Sequence, residues 1–185
     1  MFALSTISAF TEFGRKFPNV VVELITDSRL YSLARREADL VFRIRPFDEP
    51  DVIQRKLMHI PYDMYAVAGR NAVVRPQGEG LAVVTMNEAF GDMPDATWLR
   101  RTLPQARIAF RSNSRDVQAR MCMAGVGFAI LPRPLGDSFS ELQRIELEEG
   151  PPGRDVWLGY HQDTKGLARL RALLDITFAQ MFDRP

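Results

Sequence analysis

The chain has 185 residues, 46% of them hydrophobic, which is enough to bury a core in one domain or in two small lobes. Lys and Arg total 24 against 23 Asp and Glu, so the formal charge of +1 predicts no general attraction to nucleic acid or to an anionic membrane. The single cysteine, Cys122, excludes an internal disulfide framework and a cysteine-rich zinc site, and it is typical of a reducing compartment.

The first helix is predicted within residues 3 to 16, because large apolar residues recur there at helical spacing until Pro18 ends the pattern. The residues that carry the pattern are Leu4, Ile7, Phe10, Phe13 and Phe17. The charges of Arg15 and Lys16 follow the apolar residues instead of preceding them, which is not typical of a signal peptide. No apolar run approaches the roughly 20 residues of a membrane-spanning helix. We therefore expect a soluble, cytoplasmic protein.

The next segments alternate between strand and helix patterns. The β-branched run "VVVELI", residues 20 to 25, predicts a buried strand, and residues 26 to 28 are suited to cap a following helix. The expected inward residues of that helix are Leu30, Leu33 and Ala34. "ADLVFRI", residues 38 to 44, predicts the next strand. Because helices that connect successive strands favour parallel pairing, this order indicates a parallel sheet.

The rest of the chain predicts six further strands and two helices. The strands are expected at residues 62 to 69, 81 to 85, 106 to 110, 127 to 132, 142 to 147 and 155 to 161. The strand at 142 to 147 is expected at a sheet edge. One helix begins at residue 115, and the closing helix follows residue 166. The residues expected on one face of the first of these helices are Val117, Met121 and Ala124.

Two turn-rich stretches, "RNAVVRPQGEG" and "GPPG", indicate that the chain leaves a first lobe and later returns to it. We therefore predict one lobe from residues 1 to 65 with 156 to 185, and a second lobe from residues 66 to 155. Ligands of such α/β lobes bind at the carboxyl ends of the strands, which here implies a cleft between the lobes.

Gly125 and Gly127 raise the question of a phosphate loop. A dinucleotide-binding fold needs a strand, then G-x-G-x-x-G, then a helix, since the helix N-terminus faces the pyrophosphate. Here a predicted helix precedes Gly125, a predicted strand follows Gly127, and Ile130 occupies the third glycine position. We therefore interpret Gly125 as a helix C-terminal cap, and we interpret Gly127 and Phe128 as part of a cleft wall that faces residues 112 to 114.

Catalytic and metal-binding patterns are weak. His59 and His161 lie in different segments without metal-ligand spacing, so neither a metal ion nor a cofactor is expected. Cys122 lies in a predicted helix, which favours a structural role over that of a nucleophile. The acidic cluster at residues 48 to 51 lies in a proline-bounded loop, which is more often a solvated turn than an acid/base pair. We therefore predict that the chain is not an enzyme.

Anion binding has more support, because three predicted helix starts carry hydroxyl or amide caps beside unpaired backbone N–H groups. The cap residues are Ser5 and Thr6, then Thr26 to Ser28, and then Ser112, Asn113 and Ser114. Each of them, taken singly, is also explained as an ordinary N-cap. Arg43 and Arg45 flank Ile44 at the end of a predicted strand, where they form either a salt-bridged rim or a fork for a ligand carboxylate.

Several stretches, in order along the chain, resemble the effector-binding domain of LysR-type transcriptional regulators. They are "FGRKFPNVVVEL", "EADLVFRI", "AGVGFAILPR" and "DVWLGYH" with the closing helix after it. The stretch "ARIAFRSNSRDVQARMCMAGVGFAILPR" resembles one large subgroup of the family. The resemblance implies two α/β lobes of the type II periplasmic-binding-protein fold, joined by two crossover strands, with a small and often carboxylate-bearing effector in the cleft.

The resemblance also implies a site and an assembly. The candidate effector-binding residues are Ser5, Thr6, Thr26, Arg43, Arg45, Pro46, Ser112, Asn113, Ser114, Gly127 and Phe128. Arg45 stands where many relatives have glycine, so it either binds an acidic effector or fills the pocket. The family forms dimers and, at full length, tetramers, in which the first helix packs near the second lobe of the partner. Phe2, Leu4 and Phe10 are therefore expected to be partly interfacial.

Two departures from the family pattern bear on function. The winged helix-turn-helix and the linker helix have no counterpart in these residues, so DNA binding is expected only through a domain that they do not contain. The strand that opens the family's domain is also missing, which predicts an exposed sheet edge. We expect a sensor whose effector closes the cleft and changes the geometry of the dimer. The alternatives are a solute-binding protein of a transport system, which needs a secretion signal, and a hydrolase in which a His activates Cys122.

Overall fold

The computed structural model describes residues 2 to 26, 29 to 69 and 74 to 182, with only the backbone for residues 2 to 6 and 181 to 182. Its helices and strands, in chain order, are α1 (Phe2–Lys16), β1 (Val41–Arg43), β2 (Val52–Ile60), β3 (Tyr62–Val67), β4 (Ala82–Thr85), α2 (Pro94–Thr102), β5 (Arg107–Arg111), α3 (Arg115–Met123), β6 (Phe128–Pro132), α4 (Arg133–Gly136), β7 (Leu142–Ile145), β8 (Arg154–His161) and α5 (Ala168–Phe182). The chain divides into two compact units. Unit 1 is Met1–His59 with Asp155–Pro185, and unit 2 is Ile60–Arg154.

Unit 1 contains a three-stranded sheet in the order β1-β8-β2 and the two longest helices. β1 and β8 are antiparallel, with Val41 opposite Gly159. Gly159 has to be glycine, because a side chain there would collide with the buried ring of Phe47. Next to the sheet, Phe47 packs with Leu33 and Val52. Separately, α1 packs on α5 through an apolar cluster, so α1 is the element that the helical spacing of residues 3 to 16 predicted.

Two predicted elements of unit 1 did not form. Residues 20 to 25 lie in no helix or strand, and all but the first of them are exposed. A turn at residues 33 to 36 replaces the helix predicted after residue 28, and of its three expected inward residues only Leu33 is buried. The parallel pairing expected between strands at residues 20 to 25 and 38 to 44 therefore does not form among the described residues, and β1 pairs antiparallel with β8 instead. Apolar and β-branched residues have a high propensity for strands, but a strand forms only where a neighbouring strand supplies partners for its backbone hydrogen bonds.

Unit 2 contains a five-stranded mixed sheet in the order β5-β4-β6-β3-β7. β5, β4 and β6 run parallel, and β3 is antiparallel to both β6 and β7. The position of β7 at the edge confirms the sequence prediction. The boundary between the units follows His59 rather than residue 65, because β3 pairs entirely within this sheet.

Both faces of the unit 2 sheet are covered by apolar side chains. One face packs against Trp98 and Leu99 of α2 and against Leu103, which directly follows that helix. The other packs against α3 through Ala119 and Cys122. The buried face of α3 therefore differs from the predicted one, since Gln118 is buried with Ala119 and Cys122 while Val117 is exposed. Alternate strand residues point to opposite faces, so this sheet buries almost every side chain of β4 and β6.

The sequence interpretation missed α2 and β2. In β2 the exposed Gln54, Arg55 and Lys56 interrupt the apolar alternation that predicts a strand. In α2 a proline opens the helix and charged residues close it, so the pattern has few apolar positions. Within the part of the chain that the structure describes, no helix has both the length and the apolar character needed to cross a membrane.

Candidate functional site

Among the predicted site residues, Ser112 and Ser114 at the start of α3 are held in place by hydrogen bonds. Ser114 is the N-cap, and its hydroxyl accepts a hydrogen bond from the N–H of Val117 at 3.4 Å. The hydroxyl of Ser112 accepts from the N–H of Ser114 at 3.1 Å, and the N–H of Ser112 donates to Thr85 at the end of β4. The predicted helix start is thereby confirmed, and it lies at the carboxyl ends of β4 and β5.

Two backbone donors at this helix start lack an acceptor among the described residues, namely the N–H groups of Arg115 and Asp116. This is expected, because the first turn of an α-helix has no preceding turn to accept its hydrogen bonds. The positive end of the helix dipole lies at the same place. Asn113 is exposed beside these donors. The arrangement is suited to an anion.

A buried ionic cluster lies directly behind the helix start. The Asp95 carboxylate, 1% exposed, accepts from Arg115 at 2.7 Å through Oδ2 and from Arg154 through Oδ1. The Tyr62 ring lies 5.3 Å from the Arg115 guanidinium carbon and 5.2 Å from that of Arg154. Arg115 also donates to the carbonyl of Ile130 at 3.1 Å. The cluster therefore joins the starts of α2, α3, β3 and β8.

The environment of Arg115 perturbs its ionisation. Burial removes water from the guanidinium and lowers the pKa of Arg115, which the neighbouring Tyr62 partly opposes. Gln118, fully buried, accepts from Arg115 at 2.9 Å and donates to the carbonyl of Ser112 at 2.6 Å. The cluster thus holds the backbone that precedes α3. Sequence reasoning missed Asp95 and Arg154, because they are 59 residues apart and neither belongs to a recognisable motif.

Gly127 and Phe128 lie at the other end of the parallel strands. Phe128 pairs with Val83 near the start of β4, whereas Ser112 bonds Thr85 at its end. A Cβ on Gly127 would lie 2.5 Å from the carbonyl oxygen of Ala82, so this glycine permits close strand packing. Phe128 is buried in the core. The interpretation that these two residues face residues 112 to 114 is therefore wrong, because parallel strands carry their starts and ends at opposite edges.

Gly125 has the structural role that the sequence indicated. Its φ of +76° places it in the left-handed region directly after α3, and its N–H donates to the carbonyl of Cys122 at 2.9 Å. These are the properties of a glycine that ends a helix.

Arg43 and Arg45 differ in their surroundings. Arg43 donates to the carbonyl of Pro46 at 2.8 Å and to Glu49 at 3.2 Å, and its guanidinium lies 3.6 Å from the centre of the Phe47 ring. This is the salt-bridged rim, one of the two readings that the sequence left open. Arg45 and Pro46 are exposed after the end of β1. Of the two arginines, Arg45 is the one presented to solvent.

The remaining predicted residues are not assembled into a described polar site. Ser5 and Thr6 lie inside α1, and their side chains are outside the described residues. Thr26 is exposed in an irregular segment, and its neighbours Asp27 and Ser28 are outside the described residues. The interface prediction for Phe2 and Leu4 also falls on side chains that are not described. The ring of Phe10 packs edge-to-face on Phe42 within unit 1.

A surface cleft of about 340 Å³ in unit 2 contains none of the predicted residues. It lies between α2 and the loop before β8, and its lining includes Trp98 and the ion-paired Arg101 and Glu149. Its lining has no nucleophile beside a base. Within the described residues, no group of three His, Cys, Asp or Glu side chains is arranged to hold a metal ion.

The arrangement required for Cys122 as a nucleophile is not present. Cys122 is fully buried, and its thiol donates to the carbonyl of Tyr65 at 3.3 Å. His59 bonds Asp155 at 2.8 Å, and His161 accepts from the N–H of Asp163 at 3.3 Å. Each histidine is therefore engaged elsewhere.

Comparisons with known proteins agree on one family. The family model of the LysR substrate binding domain matches residues 5–181. The LysR-type transcriptional regulator CrgA from Neisseria meningitidis is similar in structure, with a TM-score of 0.80 and 18% identity over 97% of this chain and 65% of that chain. The CrgA regulatory domain alone gives a TM-score of 0.79 and 17% identity over 96% and 93%. A comparison with curated proteins finds no significant match.

A further similar structure contains a ligand. The regulatory domain of CcmR from Synechocystis PCC6803, in complex with 2-PG, has a TM-score of 0.74 and 18% identity over 96% of this chain and 91% of that chain. The present chain therefore spans less than two thirds of the longer CrgA chain but most of each regulatory domain. At these identities the structures establish a shared fold.

Proposed function

The chain belongs to the family of LysR substrate binding domains, and from that premise we propose that it senses a small anionic effector, a carboxylate or a phosphate, for a transcriptional regulator. Its α/β fold is the type II periplasmic-binding-protein-like fold that the sequence predicted. Domains of this family sense ligands and do not catalyse reactions. The effector class, the binding residues and the assembly are the proposed parts.

The start of α3 is the observation that supports an anion. Residues 112 to 114 place hydroxyl and amide groups beside the two backbone donors of Arg115 and Asp116, at the positive end of a helix dipole. The same point lies at the carboxyl ends of parallel strands, where α/β folds bind their ligands. Ser112, Asn113 and Ser114 are therefore the proposed contacts in unit 2.

In unit 1, Arg45 is the proposed charged contact. Arg45 is exposed after β1, where its charge is accessible to a dissolved anion, and Arg43 is largely covered beside Glu49 and Pro46. Gly127 and Phe128 are not proposed as contacts, because both are needed for packing at the opposite edge of the sheet.

The effector would act by binding one conformation of the domain more tightly than another. We infer that the chain forms a homodimer and that the preferred conformation changes the geometry of that dimer. In a full-length regulator this change would reach DNA through a separate domain. The 2-PG complex of the CcmR regulatory domain supports a small ligand for a domain of this shape.

The test is titration calorimetry of the chain with 2-PG and with a panel of small carboxylates. Asn113→Asp is the informative variant, because an acidic residue beside a helix N-terminus stabilises the helix but repels an anionic ligand. We expect affinity to fall about tenfold or more, equivalent to about 1.4 kcal/mol or more, while the thermal midpoint is unchanged or higher. Arg45→Ala should also weaken binding.

Gln105→Glu is the matched control, since it adds the same charge on an exposed residue before β5, at the opposite end of that strand from Ser112. Its affinity should equal that of the unaltered chain. If no anion in the panel binds the unaltered chain, or if both charge variants weaken binding equally, the proposed site is wrong.

A further inference from the structure

The surface cleft of about 340 Å³ between α2 and the loop before β8, hereafter the α2 cleft, has a buried donor without an acceptor in its lining. Trp98 lines this cleft and is 3% exposed, and its indole N–H has no hydrogen-bond acceptor among the described residues. Because a buried tryptophan N–H usually finds a partner, an unmet one beside a cleft indicates an acceptor that a ligand supplies. The volume lies within the range of small-molecule sites.

The walls of the α2 cleft carry both signs of charge. Arg101, three residues after Trp98 on the same face of α2, forms an ion pair with Glu149 of the loop before β8. Their side chains are 65% and 68% exposed, so solvent screens the pair and it contributes little to stability. A ligand that offers each charge a new partner can therefore open this pair at small cost.

The charges also restrict the kind of ligand. Asp92 lines the cleft as well, so the described lining holds two carboxylates and one guanidinium. An anion alone would be repelled by this balance of charge, and a simple amine would leave the N–H of Trp98 without an acceptor. A ligand that carries both a carboxylate and an ammonium group suits the donors and the acceptors together.

We propose that the α2 cleft binds a free α-amino acid in its zwitterionic form. The ligand carboxylate accepts hydrogen bonds from the Arg101 guanidinium and from the N–H of Trp98, and the ligand ammonium group donates to the carboxylate of Glu149. Binding opens the Arg101–Glu149 pair and gives each side chain a hydrogen-bonded group of opposite charge. The site lies within unit 2 and shares no residue with the proposed effector contacts, Arg45 and residues 112 to 114.

Trp98 itself provides a reporter for this binding. The chain has two tryptophans, and Trp157→Phe leaves Trp98 as the only one. We expect the fluorescence of Trp98 in this variant to change when the non-aromatic L-amino acids are titrated one at a time, with half-saturation between micromolar and millimolar concentration. Calorimetry of the unaltered chain with all the common L-amino acids measures the dissociation constants directly.

Blocked derivatives of the amino acid that binds most tightly test the zwitterion. N-acetylation removes the ammonium group that donates to Glu149, and amidation removes the carboxylate that accepts from Arg101 and Trp98. Each derivative should bind about tenfold more weakly or worse, because a hydrogen bond between charged groups is lost. A derivative that binds as well as the free amino acid overturns the proposal.

Arg101→Gln and Glu149→Gln test the two charged contacts. Each should raise the dissociation constant about tenfold or more. Arg120→Gln is the matched control, since Arg120 is 64% exposed in an ion pair with Asp116 on α3 and does not line the cleft. It should leave the dissociation constant unchanged. Thermal melts check that all three variants fold.

Trp98→Phe tests the indole N–H, because it keeps an aromatic ring and removes the donor. Calorimetry should show a several-fold loss of affinity for the amino acid. Asn113→Asp, which is expected to weaken the binding of an anionic effector at the start of α3, should leave the affinity for the amino acid unchanged.

The absence of binding by every amino acid at millimolar concentration overturns the proposal, and so does an equal affinity in Arg101→Gln and Arg120→Gln. If Arg101→Gln does not fold, Glu149→Gln and the blocked derivatives still decide. If Asn113→Asp lowers the affinity and Arg101→Gln does not, the amino acid binds at the start of α3, which overturns the α2 cleft but not the proposed effector site. Failure of the two proposals is therefore distinguishable.

Discussion

The two units reach opposite outcomes from similar sequence patterns. In unit 2 the β-branched stretch at β4 lies between two neighbouring strands and is buried on both faces. In unit 1 an equally β-branched stretch, residues 20 to 25, has no neighbouring strand among the described residues and is largely exposed. The comparison shows that burial follows from strand partners and covering helices, whereas β-branched composition only makes a segment suitable for them.

Charge is also handled differently in the two units. In unit 2 the carboxylate of Asp95 is buried between two arginines. In unit 1 the carboxylate of Asp155 is partly exposed and bonds Lys56 and His59, each at 2.8 Å. A buried pair is costly to break, because the surviving charge loses both its partner and its water. Exposed pairs are screened by solvent.

The largest expected effect is that of Asp95→Asn. The substitution keeps the shape of the side chain but leaves Arg115 and Arg154 buried without their shared carboxylate. We expect the free energy of unfolding to fall by about 3–5 kcal/mol in urea titrations. Asp116→Asn is the control, since it also removes an aspartate from the first turn of a helix and from an arginine pair, but an exposed one. A similar loss of unfolding free energy in both variants would contradict the proposed difference between buried and exposed ion pairs.

An intermediate effect is expected when one substitution is made in both β-branched stretches. Val83→Thr places a hydroxyl in the core of unit 2, and we expect it to lower the free energy of unfolding by about 1–3 kcal/mol. Val21→Thr should change it by less than about 0.5 kcal/mol, because that side chain is already in water. The measurement is chemical denaturation at low protein concentration. A large loss from Val21→Thr would mean that residues 20 to 25 are packed in solution.

The smallest effect concerns pH. Hydrogen bonds from Lys56 and His59 lower the pKa of Asp155 below its usual value. A carboxyl group with a lowered native pKa stabilises the fold above its unfolded pKa of about 3.9, and this contribution is lost as the pH falls through the native value. Asp155→Asn should therefore be slightly less stable than the unaltered chain near neutral pH.

The difference between these two chains should shrink as the pH falls below about 3.9, because the contribution is lost as the native carboxyl group takes up its proton. Unfolding curves at several pH values measure it. A difference that is constant with pH would assign the effect to packing rather than to charge.

A helix or strand could be predicted from the sequence where its own residues carry an apolar pattern. The periodicity around Phe10 and Phe13 predicted α1, because both the helix and its apolar stripe are local properties. The bounds of β3 to β8 were predicted to within one residue, except that β3 and β7 each end two residues earlier than predicted. β2 was missed because its Gln54, Arg55 and Lys56 are exposed, and an exposed strand has no apolar alternation to detect.

The candidate site was predictable only where its chemistry is local. Ser114 was predicted as a cap because an N-cap and the N–H that it accepts lie three residues apart. The Asp95 cluster was not predicted, since Arg115 and Arg154 reach Asp95 from distant parts of the chain. Gly127 was predicted at the same end of the parallel strands as Ser112, but it lies at the opposite end. The sequence does not show which residues of neighbouring strands lie beside each other.

The sequence by itself determined the class of fold, the helix start at Ser114, the helix end at Gly125 and the family resemblance. Hydrophobic periodicity, helix capping and turn chemistry depend on residues a few positions apart, so they can be recognised directly in the sequence. Tertiary structure alone decided the partners of Asp95, the core position of Phe128 and the exposure of residues 21 to 25. Each of these depends on backbone or charged groups that folding brings together from distant segments. A local sequence pattern does not predict such long-range contacts.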